Sequence, residues 1–297
     1  MPKKTSITQK RVTSEKDSSR RTIQFSLPSF NKNYAPLLYI LLLVGAFFLG
    51  SLTTKISYLE KGAKTETAGT TAAAQPQQAA AQPAAAVKVD INAIKDIFNN
   101  KDVIKFGDAN KKLLLVEIAD PSCPFCQAAA GKNPELNKQM GAQFTLPSDG
   151  GTYVSPVQEM RKLVDSGQAS FAYIYQNGHG NGEMAMKALY CANDQGKFWD
   201  AHDKLMSNEG YNLINNDVKN DKTASGKLAD FLSNVVNSND LKSCLDSGKY
   251  DSYLASDQKL ASSLGVNGTP RFFINTTNFA GAYSWKDMQS AADQALK

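Results

Sequence analysis

An α/β domain interrupted by a long helical insertion, standing behind one N-terminal transmembrane helix, is the architecture this sequence predicts. Three observations predict it. Leu113–Ile118 is an apolar run broken only by Glu117, the pattern of a strand buried on both faces. That run leads through Asp120-Pro121-Ser122 into Cys123-Pro124-Phe125-Cys126 and a helix-compatible Gln127–Ala130. Far upstream, 22 residues without a charge (33–54) follow a strongly basic N-terminus.

The second observation carries the chemistry. Pro121 cannot continue a central ladder, so the strand stops there. Two cysteines three apart at a helix start can close a small disulfide ring. The first sulfur lies over unsatisfied backbone N–H groups at the positive end of the helix. Such surroundings lower a thiol pKa from about 8.5 to roughly 3.5–7. The resulting thiolate both attacks and leaves well, as thiol–disulfide exchange requires. The rival reading, half of a zinc site, needs a second ligand pair. The chain offers only Cys191, Cys244, His179 and His202, no two at the required spacing.

The formal charge of +5 is concentrated at one end. Residues 1–33 hold eight Lys and Arg against Glu15 and Asp17, leaving 25 basic and 26 acidic residues elsewhere. Outside that segment the charges nearly cancel, and no nucleic-acid partner is expected. Residues 1–33 read as a basic cytoplasmic segment. As a helix, residues 33–54 would be about 33 Å long, enough for a bilayer core of about 30 Å. We take 34–54 as a retained transmembrane anchor; a cleaved signal peptide is the alternative. The positive-inside rule puts everything after Lys55 outside the cytoplasm, so the expectation is a single-pass protein of the cell membrane. Residues 55–86 form a tether. Within it, Gly62–Ala86 has eleven Ala, four Gln, Pro76 and Pro83, and no large apolar residue; it cannot bury a core.

The folded unit spans residues 87–297. Ile91, Ile94, Ile97 and Phe98 share one helical face, and Val103–Phe106 reads as a short strand. Leu113–Ala119, the cysteine turn and a helix continuing to about Met140 come next. Gln143–Ser155 reads as an exposed loop, Pro156–Asp165 as a helix and Ser170–Tyr175 as a second buried strand. A helical block covers about 183–264, with Gly196, Gly210 and Gly248 marking helix ends. Arg271–Asn275 and Asn278–Tyr283 read as strands. Ser284 with Asp287 predicts a capping box for a last helix.

Strand, Cys-Pro-x-Cys, helix, a long helical insertion, and then Gly268-Thr269-Pro270 before Arg271-Phe272-Phe273-Ile274 resembles the DsbA-like thiol–disulfide oxidoreductases of the thioredoxin superfamily. The segment Lys197-Phe198-Trp199-Asp200-Ala201-His202 is similar to that family's helical domain. The resemblance covers about Ile91–Lys297. It implies a thioredoxin-like fold with a helical insertion, and an enzyme exchanging disulfides with protein dithiol or disulfide substrates. It implies Cys123 as nucleophile and Cys126 as resolving thiol, with Pro124 and Phe125 between them. It implies a cis peptide at Thr269-Pro270 as the substrate-facing wall. Glu117 stands where the family places a buried acid, with a raised pKa and a role as proton relay to Cys126. Two departures bear on direction. Phe125 stands where the strongly oxidising member has His, and Thr269 before the proline is also found in relatives with other redox tasks. A disulfide-forming oxidase, reoxidised by a membrane quinone-linked partner, is the expectation; a reductase or isomerase, or a tethered binding module without turnover, is the alternative. No metal, nucleotide or organic cofactor is implied.

Cys191 and Cys244 lie in helical segments. In an oxidising compartment a structural disulfide between them is expected, the alternative being two buried thiols. His179, among Asn177, Gly178, Gly180, Asn181 and Gly182, reads as the surface residue of a flexible loop. His202 reads as a satisfied packing histidine.

Overall fold

The computed structural model describes residues 89–297. The basic segment, the proposed anchor and the tether lie outside the described residues. Among the described residues, no helix is long and apolar enough to cross a membrane.

Helix α1 (Ile91–Asn99) buries Ile94, Ile97 and Phe98, and the Asp90 side chain caps its N-terminus. Five strands follow in the order β1-β3-β2-β4-β5 across one sheet. They are β1 (Ile104–Phe106), β2 (Leu113–Ala119), β3 (Ala169–Tyr175), β4 (Arg271–Ile274) and β5 (Thr277–Ala280). Only β2 and β3 pair in parallel, Glu117 opposite Tyr173. The other pairings are antiparallel. Every residue of β2 and β3 is buried, as the apolar run around Glu117 requires.

Strand alternation divides the core in two. Leu114, Val116 and Ile118 point to the α1 side, together with Ala261 and Leu264. Leu113, Leu115, Ala119, Phe171 and Tyr173 point to the other side, where Cys123 and Cys126 also lie. Glu117 shares their parity and therefore faces the cysteines' side of the sheet.

The segment after the cysteines departs from expectation. Helix α2 (Pro124–Ala130) stops at Gly131, which takes the left-handed conformation at φ 67°. A second helix, α3 (Pro134–Gln139), begins after Asn133, whose side chain accepts from Leu136 N–H. The single helix expected to Met140 is thus broken by a glycine cap and a proline start, both favourable only at a helix boundary. The stretch 143–155 is not simply exposed. It forms two short turns, Ala142–Phe144 and Pro147–Asp149, and buries Tyr153 and Ser155.

Helix α4 (Pro156–Asp165) leads into β3. The helical insertion then runs through α5 (Glu183–Asp194), α6 (Phe198–Leu205), α7 (Asn208–Asn212), a π-helical turn (Leu213–Val218), α8 (Ser225–Phe231), α9 (Ser238–Ser247) and α10 (Asp251–Ser263). Gly210 lies inside α7 rather than at an end, packed against the carbonyl of Leu205. Phe198, Trp199 and His202 of α6 pack on Phe171 and Tyr173 of the sheet. That face joins the insertion to the strands. Cys191 of α5 is bonded to Cys244 of α9. The insertion closes on β4, β5 and the last helix, α11 (Trp285–Leu296). The expected capping box does not form: the Ser284 hydroxyl instead accepts from Val154 N–H at 3.1 Å. A contact to a distant strap has taken the oxygen that the helix end would have used.

Candidate active site

β2 delivers the cysteine turn at its C-terminal end. The Asp120 carbonyl accepts from Cys123 N–H at 2.9 Å, and the Asp120 N–H reaches Cys126 Sγ at 3.4 Å. Cys123 is the N-cap of α2, with Pro124 in its first turn. Proline loses nothing there, since that N–H has no helical partner. Both cysteines are reduced, and they are not equivalent. Cys123 retains 5 % exposure, whereas Cys126 has none.

Their acidities diverge accordingly. The hydrogen bond from Cys126 holds the Cys123 thiol down at about 6, against burial, with the N–H groups of Cys126 and Phe125 helping. Burial, and then its bonded neighbour Cys123, pushes the Cys126 thiol well above its ordinary value. One sulfur is poised as a thiolate and the other holds its proton. Tyr211 of the insertion stands close enough to feel the Cys123 charge, although burial is the larger reason its hydroxyl is hard to ionise.

Opposite Cys123 lies the Thr269-Pro270 bond, which is cis. The Thr269 carbonyl lies 3.5 Å from Cys123 Sγ. Pro270, itself without an N–H, leaves that carbonyl as the polar group facing the nucleophile. Phe125 is half-buried and stacks edge-on with Phe144, which in turn meets Tyr153. The Cys-Pro-Phe-Cys turn therefore borders an aromatic wall rather than a polar one.

Glu117 is fully buried, and neither carboxylate oxygen has a hydrogen-bond partner. Burial raises its carboxyl to about 8. Tyr173, directly across on β3, has a hydroxyl pushed up by burial and by the nearby Glu117 and Cys126. Glu117 is thus held neutral, on the same side of the sheet as the cysteines.

The other sequence-predicted residues fall elsewhere. The Cys191–Cys244 disulfide belongs to the helical insertion. The His179 side chain is exposed as expected, but its loop is not free: the N–H groups of Gly178, His179 and Gly180 all point to the Asp120 carboxylate. His202 is buried, its Nδ1 3.2 Å from Asp203 and its Nε2 without a partner, so it is only half satisfied. Gln127, buried in α2, ties the turn to the insertion by donating to the Pro121 and Leu205 carbonyls. Sequence reasoning missed Asp120, Ser122, Gln127, Asn181 and Asn215. The sole local signal was an acid and a serine flanking Pro121, which read as a strand stop.

A thioredoxin family model matches residues 155–294, taking in β3, the insertion and the cis-proline strand. Among solved structures, alpha-DsbA1 of Wolbachia pipientis is similar over 69 % of this chain and 96 % of its own, at 18 % identity and a TM-score of 0.51. The fold is thioredoxin-like. Oxidised BdbD of Bacillus subtilis is similar over 66 % of this chain and 94 % of its own, at 19 % identity and a TM-score of 0.46. Comparison with curated proteins finds no match. In the thioredoxin-like domain, both cysteines and the cis-proline meet at one end of the sheet, while His179 and His202 contribute no side chain to the meeting point. Among the described residues, no cluster of His, Cys, Asp and Glu could hold a metal.

Proposed function

We propose that this chain catalyses thiol–disulfide exchange with protein substrates, as a membrane-anchored oxidoreductase whose domain lies outside the cytoplasm. The observation that carries the reading is the divergence of two adjacent sulfurs, Cys123 with its thiol down at about 6 and Cys126 shielded with its thiol pushed up, beside a cis-proline. Cys123 attacks a substrate disulfide, or is attacked by a substrate thiolate when the pair is oxidised. A mixed disulfide forms in either case. In reduction, Cys126 loses its proton to solvent or to Glu117 in its ionised fraction, attacks Cys123 Sγ and expels the substrate thiolate. In oxidation the same steps run backwards, and the substrate leaves with the disulfide. Electrons and protons balance within the pair and the substrate.

We take net oxidation as the direction, with a membrane quinone-linked partner restoring the disulfide. Placement outside the cytoplasm rests on the uncharged span 34–54 and agrees with the Cys191–Cys244 bridge, since such bridges persist in oxidising compartments. One observation favours a reductase or isomerase instead: a Cys123 thiol near 6 is closer to the roughly 7 of thioredoxin than to the roughly 3.5 of a strong oxidant. The reduction potential of the Cys123–Cys126 couple separates the two. A value near about −120 mV marks an oxidant and one near about −270 mV a reductase. Oxidation of a model dithiol peptide and reduction of insulin, measured in parallel, test the exchange itself; activity in neither assay would leave a binding module.

A further inference from the structure

We propose that Asp120 is a positioning residue for the exchange reaction: its buried carboxylate clamps the backbone of loop 177–182 to the cysteine turn, and through Gly178 seats Thr269 opposite Cys123. This inference rests on the exchange chemistry proposed above.

Asp120 is fully buried, and among the described residues no cation pairs with it. A buried carboxylate without a cation is costly unless its oxygens are saturated with donors. Five donors converge on it. Oδ1 accepts from Ser122 N–H at 2.8 Å and from the Ser122 hydroxyl at 2.6 Å. Oδ2 accepts from the N–H groups of Gly178 at 2.9 Å, His179 at 2.8 Å and Gly180 at 3.4 Å. Successive backbone N–H groups curled about one oxygen form a concave anion seat, and here the anion is the protein's own side chain. The same residue's main chain touches both cysteines, so the turn and the loop are held by one residue.

The loop in turn presses on the Thr269-Pro270 segment. A Cβ on Gly178 would lie 1.9 Å from Thr269 Oγ1 and 3.0 Å from Thr269 Cβ, so only glycine permits this approach. Thr269 presents its carbonyl to Cys123 Sγ, and its side chain, the group a Cβ at position 178 would strike, is a hydrogen-bonding partner that lowers the Cys123 thiol. The insertion adds a second tie. Asn181 N–H donates to Ser122 Oγ at 3.2 Å, and Asn215 of the π-helical turn donates to the Ser122 carbonyl at 3.2 Å. Asn181 Nδ2 also donates to Asn215 Oδ1. Asp120, the loop, Thr269 and Cys123 therefore close a ring in which each member fixes the next.

Two opposite effects on Cys123 follow from one carboxylate, and they make the clamp testable. As a bare negative charge, Asp120 would disfavour the thiolate; removing it would lower the thiol pKa. As a clamp, it keeps the turn's donors aimed at Sγ; removing it would raise the pKa. Asp120→Asn abolishes the charge and turns an NH2 group toward donors already in place, releasing either the loop or the turn. Reduced full-length protein is alkylated with iodoacetamide across pH, and labelling of Cys123 is followed by mass spectrometry alongside the melting temperature. The expected result is a midpoint about one pH unit above wild type, a roughly tenfold loss of thiolate at acidic pH. Gly178→Ala should move the midpoint the same way with the charge intact, and the double variant should move it no further. A midpoint that falls, or one that stays while melting temperature drops, overturns the clamp. Where Asp120→Asn does not fold, Gly178→Ala decides alone: a rise supports the clamp and an unmoved midpoint overturns it. Alkylation needs no protein substrate, so the two readings fail separately. A wild-type midpoint near about 8.5, that of an ordinary thiol, would remove the exchange reading and the clamp's purpose with it. A low wild-type midpoint with unmoved variants removes the clamp alone.

Discussion

Two pairs of cysteines occupy this domain, and they have been given opposite fates. Cys123 and Cys126 lie three residues apart at the start of one short helix, reduced, under N–H donors and against a cis-proline. Cys191 and Cys244 lie 53 residues apart on two helices, joined across the insertion. The sulfur chemistry is the same in both pairs. Spacing and surroundings differ. In the first pair the environment stabilises a thiolate on one atom and denies it to the other, so electrons can move. In the second, helices on either side hold the product of the same reaction in place, so they do not.

The largest effect that would break this contrast belongs to the first pair. Cys123→Ser should abolish exchange, because Cys126, the other free thiol among the described residues, is fully buried. Cys126→Ser should leave attack intact and trap substrates as mixed disulfides on Cys123, visible on non-reducing gels. Trapping on Cys126 in a Cys123→Ser protein would reverse the two roles.

Glu117 comes next, because it governs the shielded thiol and the sheet together. Its carboxyl stays protonated to about pH 8 in the folded chain, whereas in the unfolded chain it ionises near about 4.3. Between those values the folded chain holds a proton that the unfolded chain has released. Stability therefore falls as pH rises through that window. Glu117→Gln should flatten that part of the pH dependence, gaining a few kcal/mol relative to wild type at pH 8 over pH 5, at about 1.4 kcal/mol per pH unit. The same variant should slow resolution by Cys126 and leave alkylation of Cys123 unaltered. A Glu117→Gln protein whose unfolding free energy relative to wild type, from urea titrations, is the same at pH 5 and pH 8 would show the carboxyl already ionised.

The second pair should answer in stability alone. Its loop is long enough for the chain-entropy model to assign about 4 kcal/mol, and native strain commonly reduces this to about 2–4 kcal/mol. Replacing Cys191 and Cys244 together by Ala should lower the melting temperature by that measure and leave exchange rates unchanged. A loss of exchange at full folding would tie the bridge to the site and erase the distinction between the pairs.

What could be read in the chain beforehand divides along the same line. The cysteine turn at a helix start, the cis bond at Thr269-Pro270 and the burial of Glu117 are legible because each belongs to a short local motif. So are β2, β3 and α4, whose apolar runs are long and cleanly ended. The bridge followed from compartment and count. The break at Gly131 was written locally too, in Gly131 and Pro134, but the alanines before it carried the helix past its end. Ser284 had the look of a cap, and a neighbour 130 residues away claimed its hydroxyl. Asp120 was illegible for the deepest reason. Three of its five donors lie 58 to 60 residues on, and they are backbone N–H groups of a glycine-rich loop, which have no side-chain signature.

That same loop supplies the smallest effect and a sharper version of the comparison. Phe125 leaves the Cys-x-x-Cys without a histidine, and His179 stands exposed on the loop beside Thr269. If an imidazole were needed to activate Cys123, His179 would be the one to supply it. The hydrogen bonds argue otherwise. The donors that lower Cys123 are Cys126, the Thr269 side chain and the main chain of the turn, and the group His179 contributes to the site is its backbone N–H, given to Asp120 at 2.8 Å. His179→Ala keeps that N–H. It should leave stability within about 0.5 kcal/mol, as for most surface substitutions, and leave the alkylation midpoint of Cys123 within about 0.3 of wild type, under about 0.4 kcal/mol of thiolate stabilisation. A rise of a full pH unit would place the activating charge on an imidazole from outside the turn, and the difference between the two cysteine pairs would then no longer be one of spacing and donors alone.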